Sequence, residues 1–498
     1  MGSTSAANEG TTSAESHGTT SAGSHGTDGV GRRDLIRRSV ALGLVSVPAM
    51  GLLSACASGG GGDDSGDGQG KGKTSKANPF GVEKGGKLDV VIFKGGYGDD
   101  YAKAWEASFQ KDLGVTSTHT GTQEITGKLQ PRFNAGNPPD IVDDSGAQQI
   151  KVDVLYKNGQ LLDLASVLDA PSVDDPGKKV RELIIPGTLD AGMQEGKIVA
   201  LNYIYTVWGL WYSGKLFKEK GWAEPKTWDD FLAVCQEAKK QGIGGLAHQG
   251  KFPYYINVAI MDLIAKKGGL DAMKAIDNLD PRAFVGSDAA QAGIEAIYEI
   301  VEKGLLMPGT NGLTHTESQT RWNQYKAAFI TCGSWLENEQ LKQTPADFDM
   351  KFMPMPLLSG SKLPYEAIRA GSGEPFVIPA KAGNLAGAKE FMRRMLSKEW
   401  ATTFAKEANS LTILKDGVDP GVKLRPGTQS TVEASKAAGD NTFRYLYPEW
   451  YSEMDATIQN ASNELMAKRI QPKEWLKRAQ AAVDKQAKDP AAKKNHRD

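Results

Sequence analysis

The stretch KIVALNYIYTVWGLWYSGKLFKEKGWAEPKT, residues 197–227, decides the fold predicted for this chain. Its pattern predicts a strand, a tight crossing, a second extended segment and then a helix. Three tyrosines and two tryptophans fall between Tyr203 and Tyr212, where a core strand would normally carry Val, Ile and Leu. Because Tyr and Trp combine a flat apolar face with one hydrogen-bonding group, we expect this segment to be both a hinge and a binding wall.

The same stretch, extended by WDDF, resembles a signature of the sugar-binding subunits of ABC importers, the extracytoplasmic solute-binding proteins related to maltose-binding protein. The family pattern is roughly dGkiyalP, an aromatic run, YNkdlFkkaG and P-x-TWdeF. This chain departs from it at Asn202, where Pro is usual, and at Ser213, where Asn is usual. The resemblance is nearest to the actinobacterial lipoproteins that bind N-acetylglucosamine and diacetylchitobiose.

Strands and helices alternate along the whole chain, which predicts the α/β class. The resemblance implies the two-lobed periplasmic-binding-protein fold, with hinge crossings and a ligand cleft between the lobes. The segment MKFMPMPLLSG, residues 350–360, resembles the second crossing. The predicted organisation is a flexible linker at 57–84, lobe 1 at 85–207 plus 356–398, and lobe 2 at 208–355 plus 399–498.

Composition limits the possible partners. The 498 residues, 40% apolar and 24% charged, are typical of a soluble globular protein of two or three domains. A formal net charge of −1 gives no reason to expect a nucleic-acid partner. The few histidines lack metal-ligand spacing, so no metal and no cofactor is expected. Cys235 and Cys332 are either a disulfide or two buried free thiols, and we favour the thiols.

The N-terminus carries export signals. Residues 1–56 are predicted to be a disordered extension followed by a lipoprotein signal peptide. Arg32 and Arg33 begin a basic region, and a short apolar run ends in LSAC at Cys56. This end resembles a lipobox, whose cysteine is acylated, and the paired arginines resemble a twin-arginine export signal, with the general route as alternative. We expect the protein at the extracytoplasmic face of the cell membrane, anchored by lipid on Cys56; an uncleaved membrane anchor is the alternative.

Four candidate ligand-binding residues lie in or next to lobe 1. Tyr97 follows the first strand, at the sheet edge that faces ligands in open α/β sheets, unless it is a surface turn residue. Asp144 ends PPDIVDD, which resembles a family element, and its carboxylate would accept sugar hydroxyls or else cap a turn. Glu374 lies in the returning segment and would bind a hydroxyl or an acetamido N–H, with a salt bridge as alternative. Asn202 lies at the crossing.

Four further candidates are aromatic. Trp335 follows a strand and a glycine in KAAFITCGSWLENE, where maltose-type relatives stack a tryptophan on a sugar ring; a core tryptophan is the alternative. Trp208 lies in the crossing segment. Tyr447 and Trp450 precede a helix and would reach the cleft mouth, although Trp450 and Met454 at i, i+4 spacing would also pack together.

The resemblance implies a substrate-binding lipoprotein that captures N-acetylglucosamine or chitin oligosaccharides such as N,N'-diacetylchitobiose. It would act as a monomer and deliver them to two permease subunits served by a cytoplasmic ATPase. Binding of a maltose-, cellobiose- or xylobiose-type sugar is one alternative, and an amino-acid binder would need an arginine such as Arg369. A glycoside hydrolase is the other, with Asp143/Asp144 or Glu337/Glu339 as the carboxylate pair. We predict no catalytic residues, since the family match covers both lobes.

Overall fold

The computed structural model describes residues 70–146, 148–490, 492 and 494–497. The predicted extension and signal peptide at 1–56, with the lipidation candidate Cys56, lie outside the described residues. Across the described ranges, none of the helices is long and apolar enough to span a bilayer.

Strands and helices alternate through the described chain, which confirms the α/β class. The strands there are β1 (Lys87–Phe93), β2 (Thr116–Thr122), β3 (Ile141–Asp143), β4 (Met193–Gln194), β5 (Lys197–Ile198), β6 (Leu201–Ser213), β7 (Gly244–Ala247), β8 (Ala327–Gly333), β9 (Met350–Met353), β10 (Ile368–Val377), β11 (Leu411–Thr412) and β12 (Thr442–Phe443). The α-helices there are α1 (Asp100–Leu113), α2 (Ile125–Ala135), α3 (Val152–Lys157), α4 (Ala165–Leu168), α5 (Gly214–Lys220), α6 (Trp228–Lys240), α7 (Tyr254–Gly268), α8 (Leu270–Asp277), α9 (Asp288–Glu302), α10 (His315–Asn323), α11 (Leu336–Glu339), α12 (Leu385–Met395), α13 (Lys398–Ala408), α14 (Pro426–Ala438), α15 (Tyr447–Trp450), α16 (Ser452–Met466) and α17 (Pro472–Lys488).

Strand β6 joins the two halves of the main sheet, whose order is β2-β1-β3-β10-β6-β8-β7. Antiparallel β10 pairs with β6 from Leu201 to Trp208, and antiparallel β8 pairs with it from Trp208 to Tyr212. The predicted tight crossing between two extended segments is therefore wrong. Because each half of β6 has partners for its backbone groups, the crossing is made inside one continuous strand.

The first hydrophobic core lies between β1, α1, α12 and α13. The buried rings of Trp105 and Trp400 stack with centroids 5.4 Å apart, and Phe391 meets Trp400 at 4.9 Å. Strand β6 adds Leu201 and Ile204 from its first half. Burial of each large apolar side chain is worth about 1.5–3 kcal/mol, so this cluster fixes the helices on the sheet.

The second core lies between α6, α7, α9, α16 and α17. Trp475 is fully buried there against Phe284, with ring centroids 5.5 Å apart. Leu210, from the second half of β6, packs in this core, as does Trp228 at the start of α6. The two ends of β6 thus belong to different cores, as a two-lobed molecule with a crossing strand requires.

The second crossing differs from the one predicted. Strand β9, within the segment 350–360, pairs with the second half of β6, and Met353 lies in the second core. The strand that reaches both sides is β10, because Ile368 pairs with β12 at one end and Phe376 packs in the first core at the other. An isolated apolar strand followed by prolines does not show in sequence which core it enters.

Core packing also bears on the predicted boundaries. Helix α13 falls in the range 399–498 assigned to lobe 2, yet Trp400 and Phe404 pack in the first core with Trp105. How the rest of the chain divides between the lobes stays a prediction.

The second half of the predicted flexible linker is packed. Phe80 and Val82 are buried in the first core. The amide of Gly70 donates to the carbonyl of Phe80, 2.9 Å away, and the Arg393 side chain donates to the carbonyl of Ala77, 3.3 Å away. Two apolar side chains in a polar segment are enough to dock it.

Both cysteines in the described chain are free and buried, as favoured. Cys235 lies in α6 and Cys332 in β8. Burial raises the pKa of each thiol, so neither is a reactive thiolate at neutral pH.

Candidate ligand-binding site

A cavity of about 540 Å³ lies where β6 and β10 run from one core to the other. Six of the eight predicted ligand-binding residues line it: Tyr97, Asn202, Trp208, Trp335, Glu374 and Tyr447. The lining comes from the loop after β1, from both crossing strands, and from the starts of α7, α11 and α15. Since strand ends and helix starts point into one space, the site is fixed by the sheet rather than by long loops.

The other two predicted residues, Asp144 and Trp450, lie outside the cavity. Asp144 is buried, and its Oδ1 accepts the backbone N–H of Ile150 at 2.9 Å, which is the turn-fixing alternative. Trp450 is buried in the second core together with Met454, which is the packing alternative. Both assignments rested on nearness to an element end, and that does not determine the direction of the side chain.

An aromatic wall forms one end of the cavity. The rings of Trp208 and Trp335 meet edge to face with centroids 4.6 Å apart. Tyr254 packs edge-on to Trp208 at 5.4 Å, and Tyr97 packs edge-on to Trp335 at 6.4 Å. Both tryptophans are half-buried. Perpendicular rings leave flat faces free for an apolar ligand surface.

Two glycines seat the Trp335 side chain. A Cβ atom on Gly333, the last residue of β8, would lie 2.1 Å from the Trp335 ring. A Cβ atom on Gly96 would lie 2.9 Å from it on another side. The spacing G-S-W therefore places the ring at the cavity wall, in the gap between the loop after β1 and the start of α11. Tyr97, beside Gly96, is buried rather than the surface residue of the alternative hypothesis.

Carboxylates stand beside the aromatic wall. Glu374 in β10 has a positive φ of 58°, which is strained for a residue other than glycine. Burial raises its pKa to about 7, and the charge of Glu339 adds to the rise. No Lys or Arg pairs with Glu374 among the described residues, so the salt-bridge alternative is absent there. Glu339 Oε1 lies 3.4 Å from His315 Nε2.

Behind Glu374 lies a buried acid that does not line the cavity. The Asp143 carboxylate accepts the hydroxyl of Tyr101 at 3.2 Å and that of Ser145. Burial, and then the charge of Glu374, raise the pKa of Asp143 well above its usual range. The two acids therefore disfavour each other's ionisation.

The other end of the cavity is polar. Arg444 donates to Ser372 Oγ at 3.1 Å and pairs with the Glu449 carboxylate. Gln459 donates to Asp455 Oδ2 at 2.6 Å, and burial raises the pKa of Asp455 to about 7. Arg444 Nε and Glu449 Oε2 are buried without a partner in the described structure, so a ligand here meets hydrogen-bonding groups that are partly unsatisfied.

The residue types of the cavity do not suggest a metal or cofactor. Among the described residues, no group of three or more His, Cys, Asp and Glu side chains is arranged to hold a metal ion. Arg369 lines the cavity, but its guanidinium lies 3.9 Å from the Asp262 carboxylate and 5.9 Å from the centre of the Tyr445 ring. The guanidinium of Arg369 therefore already interacts with Asp262 and Tyr445.

The lining residues that the sequence did not predict as ligand contacts include Tyr254, Tyr255, Arg444 and Asp455. Glu339 also lines the cavity, although the sequence suggested it only as a hydrolase carboxylate. The tyrosine pair had a signal, because the sequence FPYY places two rings just after Pro253, which is the N-cap of α7. Arg444 and Asp455 had no such signal in the sequence, since their positions depend on how α15 and α16 pack against the sheet.

In each carboxylate pair considered for hydrolysis, one carboxylate is held by hydrogen bonds that stabilise the fold. Asp144 fixes a turn, as above. Glu337 caps α14: its oxygens accept the amide of Gly427 at 2.9 Å and the amide and hydroxyl of Thr428 at 2.6 and 2.9 Å. A carboxylate held by three donors in this way is not free to act as acid or base.

Comparisons with known proteins agree with this architecture. The family model described as bacterial extracellular solute-binding protein matches residues 95–402. The diacetylchitobiose binding protein NgcE of Streptomyces coelicolor is 37% identical over 421 residues, which cover 84% of this chain and 89% of that protein.

Two solved structures share the fold. A chitin oligosaccharide binding protein, 22% identical, covers 78% of this chain and 93% of its own with a TM-score of 0.62. RafE of Streptococcus pneumoniae in complex with raffinose, 17% identical, covers 80% of this chain and 99% of its own with a TM-score of 0.62. The predicted two-lobed fold with an interlobe cleft is thereby confirmed.

Proposed function

Because the chain belongs to the family of bacterial extracellular solute-binding proteins, we propose that it is the substrate-binding lipoprotein of an ABC importer. It captures N-acetylglucosamine or chitin oligosaccharides, N,N'-diacetylchitobiose among them, outside the membrane and delivers them to the permease. The observation that carries the proposal is the aromatic-walled cavity in a chain 37% identical to a diacetylchitobiose binding protein.

The cavity suits a sugar of this kind. A pyranose ring has an apolar C–H face, which Trp208 and Trp335 can cover, and a polar edge, which carboxylates and amides can bind. Asn202 and Glu374 supply such groups to the same cavity, and Tyr447 adds a hydroxyl. These five residues and Tyr97 are the proposed ligand contacts.

A calorimetric panel tests the ligand. N-acetylglucosamine, its β-1,4 oligomers, maltose, cellobiose and xylobiose are titrated separately into the mature protein. We expect the acetylated sugars to bind and the others to bind weakly or not at all. Tight binding of maltose or xylobiose without any binding of diacetylchitobiose would contradict the proposal.

Partners and location follow from the family. The protein acts on the extracytoplasmic side, and its partners there are a sugar and the membrane permease. We propose further that it is a monomer, held through lipid on Cys56 after export by the twin-arginine route, and that a cytoplasmic ATPase drives the permease. Replacing Cys56 with Ala should release the protein to the medium; Cys56→Ala protein that stays in the membrane fraction would contradict lipid anchoring.

The protein is proposed to bind without catalysis. Relatives in this family are solute-binding proteins, and Asp144 and Glu337 are held by backbone amides. The test is to incubate the protein with chitin oligosaccharides and to follow products by mass spectrometry. Catalytic turnover would restore the hydrolase alternative.

A further inference from the structure

We propose that the cavity also takes oligosaccharides that carry a free amino group, with the ammonium held between the carboxylates of Glu374 and Glu339. The inference rests on the proposed function, because it concerns the same site. It names a second substrate class: partly or fully deacetylated relatives of the chitin oligosaccharides.

The two carboxylates reach the aromatic end of the cavity from separate elements, β10 and α11. The Glu339 side chain is only 10% exposed, and one of its oxygens, Oε2, has no hydrogen-bond partner within the described structure. A buried carboxylate oxygen without a donor is costly. A ligand donor that reaches Oε2 removes that cost.

The groups that act on Glu374 are acidic or neutral. Asp143 on β3 and Glu339 on α11 are the acids whose charges interact with it, and Ser145 is a neutral hydrogen-bonding group near it. The tyrosines that its charge affects are Tyr97, Tyr101 and Tyr254. Apart from His315 near Glu339, no cationic side chain pairs with either carboxylate in the described ranges.

The Lys and Arg side chains that line the cavity form no ion pair with Glu374 or Glu339 among the described residues. Arg369 lies near Asp262, and Arg444 pairs with Glu449. Lys151 and Lys251 also belong to the lining. The aromatic end thus has excess negative charge, and a ligand cation is what would balance it.

An ammonium suits this end better than a hydroxyl. It donates three hydrogen bonds, and bonds between an ammonium and a carboxylate are about twice as strong as neutral ones. Because the pKa of Glu374 is raised to about 7, the carboxyl also has a neutral form that tolerates an uncharged sugar. Binding of a cationic sugar lowers that pKa and releases a proton.

Three disaccharides with the same β-1,4 linkage test the inference on the unmodified protein: glucosamine disaccharide, cellobiose and N,N'-diacetylchitobiose. They present an ammonium, a hydroxyl and an acetamido group at the same carbon. At pH 7.5 we expect the glucosamine disaccharide to bind about ten- to a hundred-fold more tightly than cellobiose. At pH 5.5 this ratio should shrink because Glu374 takes up a proton, although the amine stays charged.

Two variants locate the effect. In Glu374→Gln and in Glu339→Gln the preference for the glucosamine disaccharide over cellobiose should fall by about tenfold or more. Glu407→Gln removes the same charge from an exposed position on α13 and should change neither affinity. Melting curves establish that each variant is folded.

The outcomes separate the two proposals. If diacetylchitobiose binds and the glucosamine disaccharide binds no better than cellobiose, the inference is overturned and the proposed function stands. A preference that survives in both variants also overturns it. If the glucosamine disaccharide is preferred and diacetylchitobiose does not bind, the charge argument holds and the proposed ligand is wrong.

Discussion

Trp335 packs partly buried against the first core, and replacing it tests whether the aromatic wall binds sugar. Trp335→Ala removes one ring face and leaves solvent in its place, so we expect a loss of about 1.5–3 kcal/mol in binding free energy. That is roughly a ten- to a hundred-fold weaker affinity. The free energy of unfolding should change little, since the ring is half-buried and faces the cavity.

The control is Trp475→Ala in the second core. This residue is fully buried, so its truncation should cost about 3–5 kcal/mol of folding stability and leave the sugar affinity of the folded fraction unchanged. Calorimetry and melting temperature are measured on both proteins. Unchanged affinity with a large drop in melting temperature in Trp335→Ala would show that Trp335 is a core tryptophan and not a ligand contact.

Glu374 should make the stability of the free protein depend on pH. Its pKa rises from the usual 4.5 to about 7 in the folded state, chiefly through burial. The folded protein then binds more protons than the unfolded chain between these values. Its contribution to stability is complete below pH 4.5 and is lost as pH rises through 7.

Glu374→Gln should flatten this dependence by an amount on the order of 1–3 kcal/mol between pH 5 and pH 7.5. Urea unfolding at both pH values measures it. Asp455, whose pKa is also raised to about 7 by burial, should leave a residual slope of the same sign. Equal slopes in the variant and the unmodified protein would show that Glu374 is not the group that titrates.

The sequence predicted which residue types lie near the site better than it predicted the direction in which each side chain points. Trp335 is predicted at the binding wall, and its ring lines the cavity because Gly333 and Gly96 leave room for it; its contact with sugar stays a prediction. Asp144 was predicted in the site, but a carboxylate after a short strand can point toward the ligand or toward its own loop. Here it points toward its loop, because its Oδ1 accepts the amide of Ile150. The positive φ of Glu374 has no signal in a sequence of this kind.

At the scale of the elements, the Glu337 side chain of α11 connects this helix to the N-terminus of α14 by hydrogen bonds. Glu337 accepts the first amides of α14 from Gly427 and Thr428, so it satisfies donors that no carbonyl can reach and complements the helix dipole. Glu337→Gln removes the charge and at least one acceptor. We expect it to cost about 1–3 kcal/mol of unfolding free energy.

Glu433→Gln is the matched control, because Glu433 is exposed on the same helix. Urea denaturation should separate the two variants clearly. If Glu337→Gln is as stable as Glu433→Gln, the cap contributes nothing, and Glu337 would become available again for a role in ligand chemistry.

Element existence was predictable, whereas the path between the lobes was not. The start of α6 is a local feature: the Thr227 side chain accepts the amide of Asp230, and acidic residues follow in the first turn. The crossing was assigned to the segment of β9 instead of β10, because the apolar β9 and the prolines after it resemble a crossing, whereas β10 carries Gly, Ser and Glu in its middle. Only long-range pairing with β6 distinguishes them.

At the scale of the whole molecule, hydrogen bonds join segments of the two predicted lobes. Asn338 in α11 donates to the carbonyl of Gly96 at 2.6 Å, and Ser452 donates to Asp153 at 2.9 Å. Contacts of this kind exchange readily with water when the angle between the lobes changes.

Sugar binding should make the molecule more compact. A ligand that touches Trp208 and Glu374 on the crossing strands and Trp335 on α11 makes more contacts when the lobes are closed, so it shifts the population toward the closed state. Small-angle X-ray scattering with saturating diacetylchitobiose should give a smaller radius of gyration than the free protein. Maltose at the same concentration is the control for solvent contrast. An unchanged radius of gyration at confirmed saturation would mean that sugar binding does not close the lobes. The permease would then have to recognise the sugar itself.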